Sequence, residues 1–212
     1  MTTVYVIRHG DLVYPLNDRG QRMLYGPEVP LSENGKNQIS NLAARLIKEG
    51  RHIDAIYTSP YVRAVESAGI LAHACGIGNV TPVDNFRDID NSGAMGMTMD
   101  EVLARKGDFG SDSGVESIEH LADRMVHALE SIVSDEQNRS IAIISHGDAI
   151  RTLLFRLEHP DEKIPPMAEL STYEYLDKGE VWCIKLDNNR QFVEKEYIGR
   201  SPELWGKGER KS

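Results

Sequence analysis

Four short apolar runs set the rhythm of this chain. Val4-Tyr5-Val6-Ile7 comes first, rich in β-branched and aromatic side chains, and reads as a buried strand. Ile53–Tyr57, Val80–Val83 and Ile141–Ser145 read the same way. Between them the apolar positions recur with helical spacing. Ser32–Glu49 places Ile39, Leu42, Ala43, Leu46 and Ile47 on one face, with Ser32 as N-cap and Gly50 as stop. Arg45 and Lys48 flank that stripe and read as solvated. A second helix is predicted after Tyr57, with Ser59 as cap, Pro60 in its first position and Gly76 closing it after Cys75. Thr98 with Glu101 spells a capping box for a short helix to about Arg105. Ser113 with Glu116 spells a second box, ahead of a long amphipathic helix marked by Ile118, Leu121, Met125, Leu129 and Ile132. Asp148–Leu157 is the helix behind the fourth run, and His159–Met167 is a loop. Thr172–Tyr175, Val181–Leu186 and Phe192–Ile198 read as C-terminal strands joined by turns. From Gly199 the chain is polar apart from Leu204 and Trp205, and a frayed tail is expected.

Strands alternating with helices imply a three-layer α/β/α sandwich around a mostly parallel sheet. Right-handed crossovers bring the carboxyl ends of the first, second and fourth strands to one rim. The C-terminal strands extend the sheet, at least partly antiparallel. No repeat, low-complexity tract or linker interrupts residues 1–212, so one domain is expected.

That rim is where an open α/β sheet binds ligands. Arg8-His9-Gly10 leaves the first strand, placing a permanent cation beside a nucleophile or base. Arg63 falls in the first turn behind the second strand. His146-Gly147 ends the fourth. Three separate βα junctions thus deliver Arg, His, Arg and His to one edge, and chance placement of all three is far less likely than of any one. The loop Asp11–Leu31 starts at the same rim and is long enough to suggest function.

Composition narrows the partners. At 40% hydrophobic and 27% charged, the chain is ordinary for a soluble globular protein. A formal charge of −9 argues against nucleic acid, so any attraction for phosphate must be local to a cleft. Cys75 and Cys183 lack metal or redox spacing and read as reduced thiols, with a cytoplasmic location expected. The first strand follows so closely on Met1 that no signal peptide is expected. No apolar run approaches membrane-spanning length, and no membrane partner is expected.

Five segments together carry a resemblance: Arg8-His9-Gly10, Pro30-Leu31-Ser32-Glu33-Asn34-Gly35, Tyr57-Thr58-Ser59-Pro60-Tyr61-Val62-Arg63-Ala64, Phe86-Arg87-Asp88-Ile89-Asp90, and Ser145-His146-Gly147-Asp148-Ala149-Ile150-Arg151. In order and content they resemble the histidine phosphatase superfamily, also called phosphoglycerate mutase-like. The resemblance implies a phosphoglycerate mutase-like fold and a phosphohistidine on His9, with Arg8, Arg63 and His146 clamping the phosphoryl group. The residues suit those roles. A neutral imidazole can attack phosphorus, and planar guanidinium forks bind pairs of phosphoryl oxygens. The helix after Gly147 offers N-terminal N–H groups to an anion.

The resemblance also implies a proton donor after the third strand, where the family commonly carries Glu; here the position holds Asp88. To serve as acid it must keep its proton near neutral pH, through burial or neighbouring carboxylates. Asp84 and Asp90 compete for the role. Two loops depart from the family pattern. Where many members carry Asn after Arg-His-Gly, this chain has Pro15, with Asn17 as the nearest substitute in a substrate loop. Ser92-Gly93-Ala94-Met95-Gly96 replaces Gly-x-Trp-Glu-Gly.

The expected activity is phosphomonoester hydrolysis. Mutase transfer to another oxygen and a non-catalytic phospho-ligand module are the alternatives, and the substrate is a small phosphate ester or a phosphoprotein. No P-loop, nucleophile elbow or dinucleotide fingerprint occurs. His9, His146 and Asp88 could be imagined around a metal, but Arg8 and Arg63 would repel it, so neither metal nor cofactor is expected. Oligomeric state is not legible.

Overall fold

A computed structural model describes residues 1–105, 114–170 and 173–199. Its centre is β1 (Thr2–Arg8), which pairs in parallel with β4 (Ser140–Ser145) on one side and antiparallel with β5 (Val181–Leu186) on the other. Beyond β4 lie β2 (Ala55–Thr58) and β3 (Val80–Pro82), both parallel; beyond β5 lies antiparallel β6 (Phe192–Ile198). The order is β3-β2-β4-β1-β5-β6. The expected mixed, mostly parallel sheet is therefore present, with the C-terminal strands extending it.

Both faces of the central strands are buried, which is why their sequences read as unbroken apolar runs rather than alternations. Val4, Val6, Ile141 and Ile143 face one core with α4 (Ile118–Asp135) and α5 (Gly147–Glu158). Tyr5, Ile7, Ala142 and Ile144 face the other with α1 (Glu33–Lys48) and α2 (Val62–Cys75). The short α3 (Met99–Ala104) carries the predicted Thr98–Glu101 capping box, and α6 (Met167–Leu170) forms at the end of the predicted 159–167 loop.

Four local expectations are corrected. The cap of α2 is Tyr61, without a side-chain bond, so Pro60 lies outside the helix; Ser59 turns inward instead, its Oγ 2.8 Å from His146 Nε2. Ile47 leaves the apolar stripe and is 51% exposed. The N-cap of α4 is Ser117, whose side chain accepts from the His120 N–H. Glu116 reaches Arg124 rather than a capping box, and Ser113 lies outside the described residues. Tyr173–Tyr175 do not form a strand; Glu174 has φ 45°, which breaks an extended run, and residue 172 lies outside the described residues. Leu204 and Trp205 lie outside them too.

The exit of β1 is fixed mainly by backbone, with the Gly10 N–H also donating to Ser67 Oγ at 3.2 Å. His9 N–H donates to Ser145 C=O at 3.1 Å, and Gly179 N–H donates to the carbonyls of Arg8 and His9. Gly10 then passes so close to the first turn of α1 that a Cβ would stand 2.3 Å from Gly35 O. A Cβ on Gly35 would stand 2.0 Å from Asp11 O. Both opposing atoms are backbone, so no side chain can swing away.

Gly35→Ala should therefore destabilise the protein by about 2–4 kcal/mol, an overpacking cost without an easy escape. Gly69, in α2 with open space around its Cβ position, is the control: Gly69→Ala should stabilise by roughly 0.5–1 kcal/mol. Urea midpoints measure both, and equal shifts would refute the close-approach argument.

Candidate active site

At the carboxyl ends of β1, β2 and β4, Arg8, His9 and Asp88 line a cavity of about 650 Å³. Arg63 and His146 lie against the lining residues Asp88 and His9. His9 and His146 stand edge to face with centroids 5.1 Å apart, and Arg63 Nη2 lies 3.2 Å from Asp88 Oδ2. The two arginines and two histidines read from separate junctions thus converge on one place, with Asp88 among them.

His9 is 2% exposed, and its Nδ1 lies 2.8 Å from the Gly10 carbonyl. A carbonyl only accepts, so Nδ1 carries the proton and Nε2 is left as the basic nitrogen. Burial, then the electrostatics of His146, Arg63 and Arg8, hold the ring's pKa well below 6.5. His146 is likewise lowered well below 6.5, by burial first and then Arg63 and Arg8. Burial, reinforced by the neighbouring guanidinium charges, favours the neutral form of both rings.

Arg63 is 1% exposed. It gives Nη1 to Gly26 C=O at 2.9 Å and Nη2 to Asp88, and lies against the faces of Tyr25 and Tyr61. Arg8 gives Nη1 to Leu176 C=O at 2.7 Å and stacks 4.6 Å from the Tyr175 ring centroid. Arg8 Nε, Arg63 Nε and His146 Nδ1 are buried without a hydrogen-bond partner. Buried polar groups are normally paired, so this cluster of unsatisfied groups marks a place for an acceptor-rich ligand. His146 also caps α5 without a side-chain bond, leaving first-turn N–H groups and the positive end of the helix dipole at the same point. Gly147 belongs here because a Cβ would stand 2.7 Å from the Tyr175 ring.

Asp88 also stands 3.5 Å from His146 Nδ1 through Oδ2. Its competitors are elsewhere: Asp84 pairs with Arg87 at the surface, and exposed Asp90 accepts from the Ser92 N–H. Asn17 does not line the cavity; its side chain accepts from the Arg19 and Gln21 N–H groups and closes its own turn. Arg45 pairs with Glu49 on the far face of α1. No group of three or more His, Cys, Asp or Glu among the described residues is placed to hold a metal ion.

Several neighbours escaped the sequence reading. Ser59 and Glu116 were visible only as capping residues, Tyr175 only as the end of an expected strand, and Tyr25 and Arg124 had no pattern to single them out. Beyond Arg8, His9 and Asp88, apolar Leu24, Ile89, Met99, Val102, Leu103 and Ile118 line the cavity, interspersed with Asn91, Glu116, Asp148 and Arg151.

A mixed, mostly parallel sheet that gathers a buried arginine, a half-buried arginine, two buried histidines and a carboxylate at its carboxyl edge defines an α/β protein with a cationic pocket. The chain belongs to the histidine phosphatase superfamily (branch 1), whose family model matches residues 4–194. It is 27% identical over 195 residues to phosphoglycerate mutase-like protein 4 of Arabidopsis thaliana, covering 86% of this chain and 83% of that one. It is 29% identical over 189 residues to the uncharacterized phosphatase PhoE of Bacillus subtilis, covering 87% and 93%. Among solved structures, Bacillus stearothermophilus YhfR superposes with a TM-score of 0.74 at 26% identity, covering 91% of this chain and 95% of that one.

The two neutral histidines make stability pH-dependent. Each resists protonation when folded but accepts a proton near pH 6.5 when unfolded, so the unfolded state binds more protons below that pH. Their stabilising effect is full above pH 6.5 and should fall by about 1.4 kcal/mol per pH unit for each ring as pH drops, until the folded groups titrate. Urea unfolding between pH 7.5 and 5.5 should show a shallower fall in His146→Gln than in the parent. An equal or steeper fall would mean that the ring is not held neutral.

Proposed function

We propose that this protein is a phosphomonoesterase that hydrolyses a phosphate ester through a phosphohistidine on His9. The observation that carries the reading is the His9 tautomer. Its Nδ1 proton is committed to the Gly10 carbonyl, so Nε2 is the nucleophilic nitrogen of a neutral ring lining the cavity. Nε2 attacks phosphorus, and the ester oxygen departs with a proton from Asp88. Arg8, Arg63, His146 and the α5 N-terminus hold the transferring oxygens, whose charge is spread over the equatorial plane. In the second step the Asp88 carboxylate takes a proton from water, the hydroxide oxygen attacks phosphorus, and the His9–phosphorus bond breaks.

Hydrolysis is favoured over mutase transfer by the outer cavity. Its cation there is Arg151, already paired with Asp148 at 2.5 Å, so a second anionic group of a substrate finds little free positive charge among the described residues. The apolar wall suits a substrate whose alcohol part presents apolar surface. The relative PhoE carries the name phosphatase, which agrees with this reading.

Rapid quench with labelled ester should trap an acid-labile, base-stable adduct that His9→Ala does not form, and the reaction should survive EDTA. A labelled acyl phosphate instead would overturn the assignment. Asp88→Asn should slow phosphoenzyme formation from alkyl phosphates by about 10²–10⁴-fold. It should slow nitrophenyl phosphate much less, because nitrophenolate leaves without a proton. Equal losses with both esters would remove Asp88 as the acid.

A further inference from the structure

Asp88 sits on a loop rather than on a strand or helix, yet a general acid must be placed to within a fraction of an ångström. The loop is held carbonyl by carbonyl. Arg124 of α4 gives Nη1 to Asn85 C=O at 2.7 Å and Arg87 C=O at 2.9 Å, and Nη2 to Asp88 C=O at 2.9 Å. Ser145 Oγ gives its proton to the intervening Phe86 C=O at 2.8 Å. Four successive carbonyls, residues 85 to 88, therefore accept from side chains anchored in α4 and β4.

Arg124 is itself fixed. Its remaining donors, Nε and Nη2, reach Glu116 Oε1 and Oε2, each at 2.7 Å, so all five guanidinium N–H donors are used. Both side chains of that pair are buried, 5% and 4% exposed. Glu116 returns to the same loop from the other side. Its Oε2 accepts from Asp90 N–H at 3.1 Å and its N–H donates to Asp90 C=O at 2.8 Å. A lysine could not replace this arrangement, because a point charge lacks the planar fork. A surface loop that needed only to connect β3 to α3 has no use for a desolvated ion pair and a saturated guanidinium.

We infer that the buried Arg124–Glu116 pair is a positioning device that sets the Asp88 carboxyl against the departing ester oxygen. Arg124 touches neither substrate nor reacting atoms; it acts through the Asp88 backbone. The inference rests on the reading of Asp88 as the acid. Its consequence is specific: loss of the fork should resemble loss of the acid, and should leave the phosphoryl clamp intact.

The test is a double-mutant cycle on phosphoenzyme formation, using an alkyl phosphate and nitrophenyl phosphate, with orthovanadate affinity measured alongside. Arg124→Lys should slow the alkyl ester by about 10–10²-fold and the aryl ester by less than about threefold. Vanadate affinity should be unchanged. In the Asp88→Asn background, Arg124→Lys should add no more than about a twofold loss, because the two residues act as one unit. Glu116→Gln, which keeps the Arg124 carbonyl contacts, should give the same pattern more weakly and serves if Arg124→Lys does not fold. If Asp88→Asn discriminates between the esters while Arg124→Lys and Glu116→Gln slow both equally or weaken vanadate, the pair is merely structural and this inference alone fails. If Asp88→Asn itself does not discriminate, the acid assignment fails, and the inference with it.

Discussion

The site depends on a buried guanidinium, Arg63, whose ionic partner is the Asp88 carboxylate. Arg63 is almost wholly removed from water, with one shared carboxylate, one carbonyl and two aromatic faces as its surroundings. Isolated buried ions are costly, and a protein normally neutralises them. Burial first, and then the field of Arg63 and Arg8, favours the neutral form of both histidines, so they add no further positive charge. Arg63 and the adjacent Arg8 give the pocket a local attraction for anions despite the chain's formal charge of −9.

The scaffold has to hold that cluster against its own repulsion. It does so with backbone. Ser145 C=O and Gly179 N–H pin the exit of β1 from both neighbouring strands, and Gly10 meets Gly35 with no room for a side chain. Arg8 and His9 therefore leave the sheet in one direction, and their side chains need little ordering when a ligand arrives. That preorganisation is the main contribution a protein makes to phosphoryl transfer.

The cavity's outer wall is built more loosely. Loop 11–31 and α3 are joined by backbone bonds from Leu24 N–H to Met97 C=O and from Met99 N–H to Arg22 C=O. No residue of α3 is buried. Local stability follows buried contacts, so this wall belongs to the low-stability end of the molecule while the phosphoryl clamp belongs to the high end. The sheet-edge cluster is thus held more firmly than the part of the cavity wall that α3 contributes.

The strands, most helices and the cluster of Arg8, His9, Arg63 and His146 were legible along the chain. Each depends on neighbours a few residues away: an apolar run, a cap, a βα junction. Both-face burial of β1 and β4 explains why their runs read so clearly. The tertiary structure alone decided the rest. Ser59 looked like a cap because caps are local, but its hydroxyl is claimed by His146, 87 residues away. Asp88 was separable from Asp84 and Asp90 only once the fold turned it toward Arg63, and Asn17 left the site because its side chain closes its own turn. Glu116 signalled only a capping box and Arg124 nothing at all, since a buried fork on loop carbonyls depends on approach in space and has no period in sequence. Periodicity records which face of an element meets the core; it carries no record of which distant polar groups must find one another there.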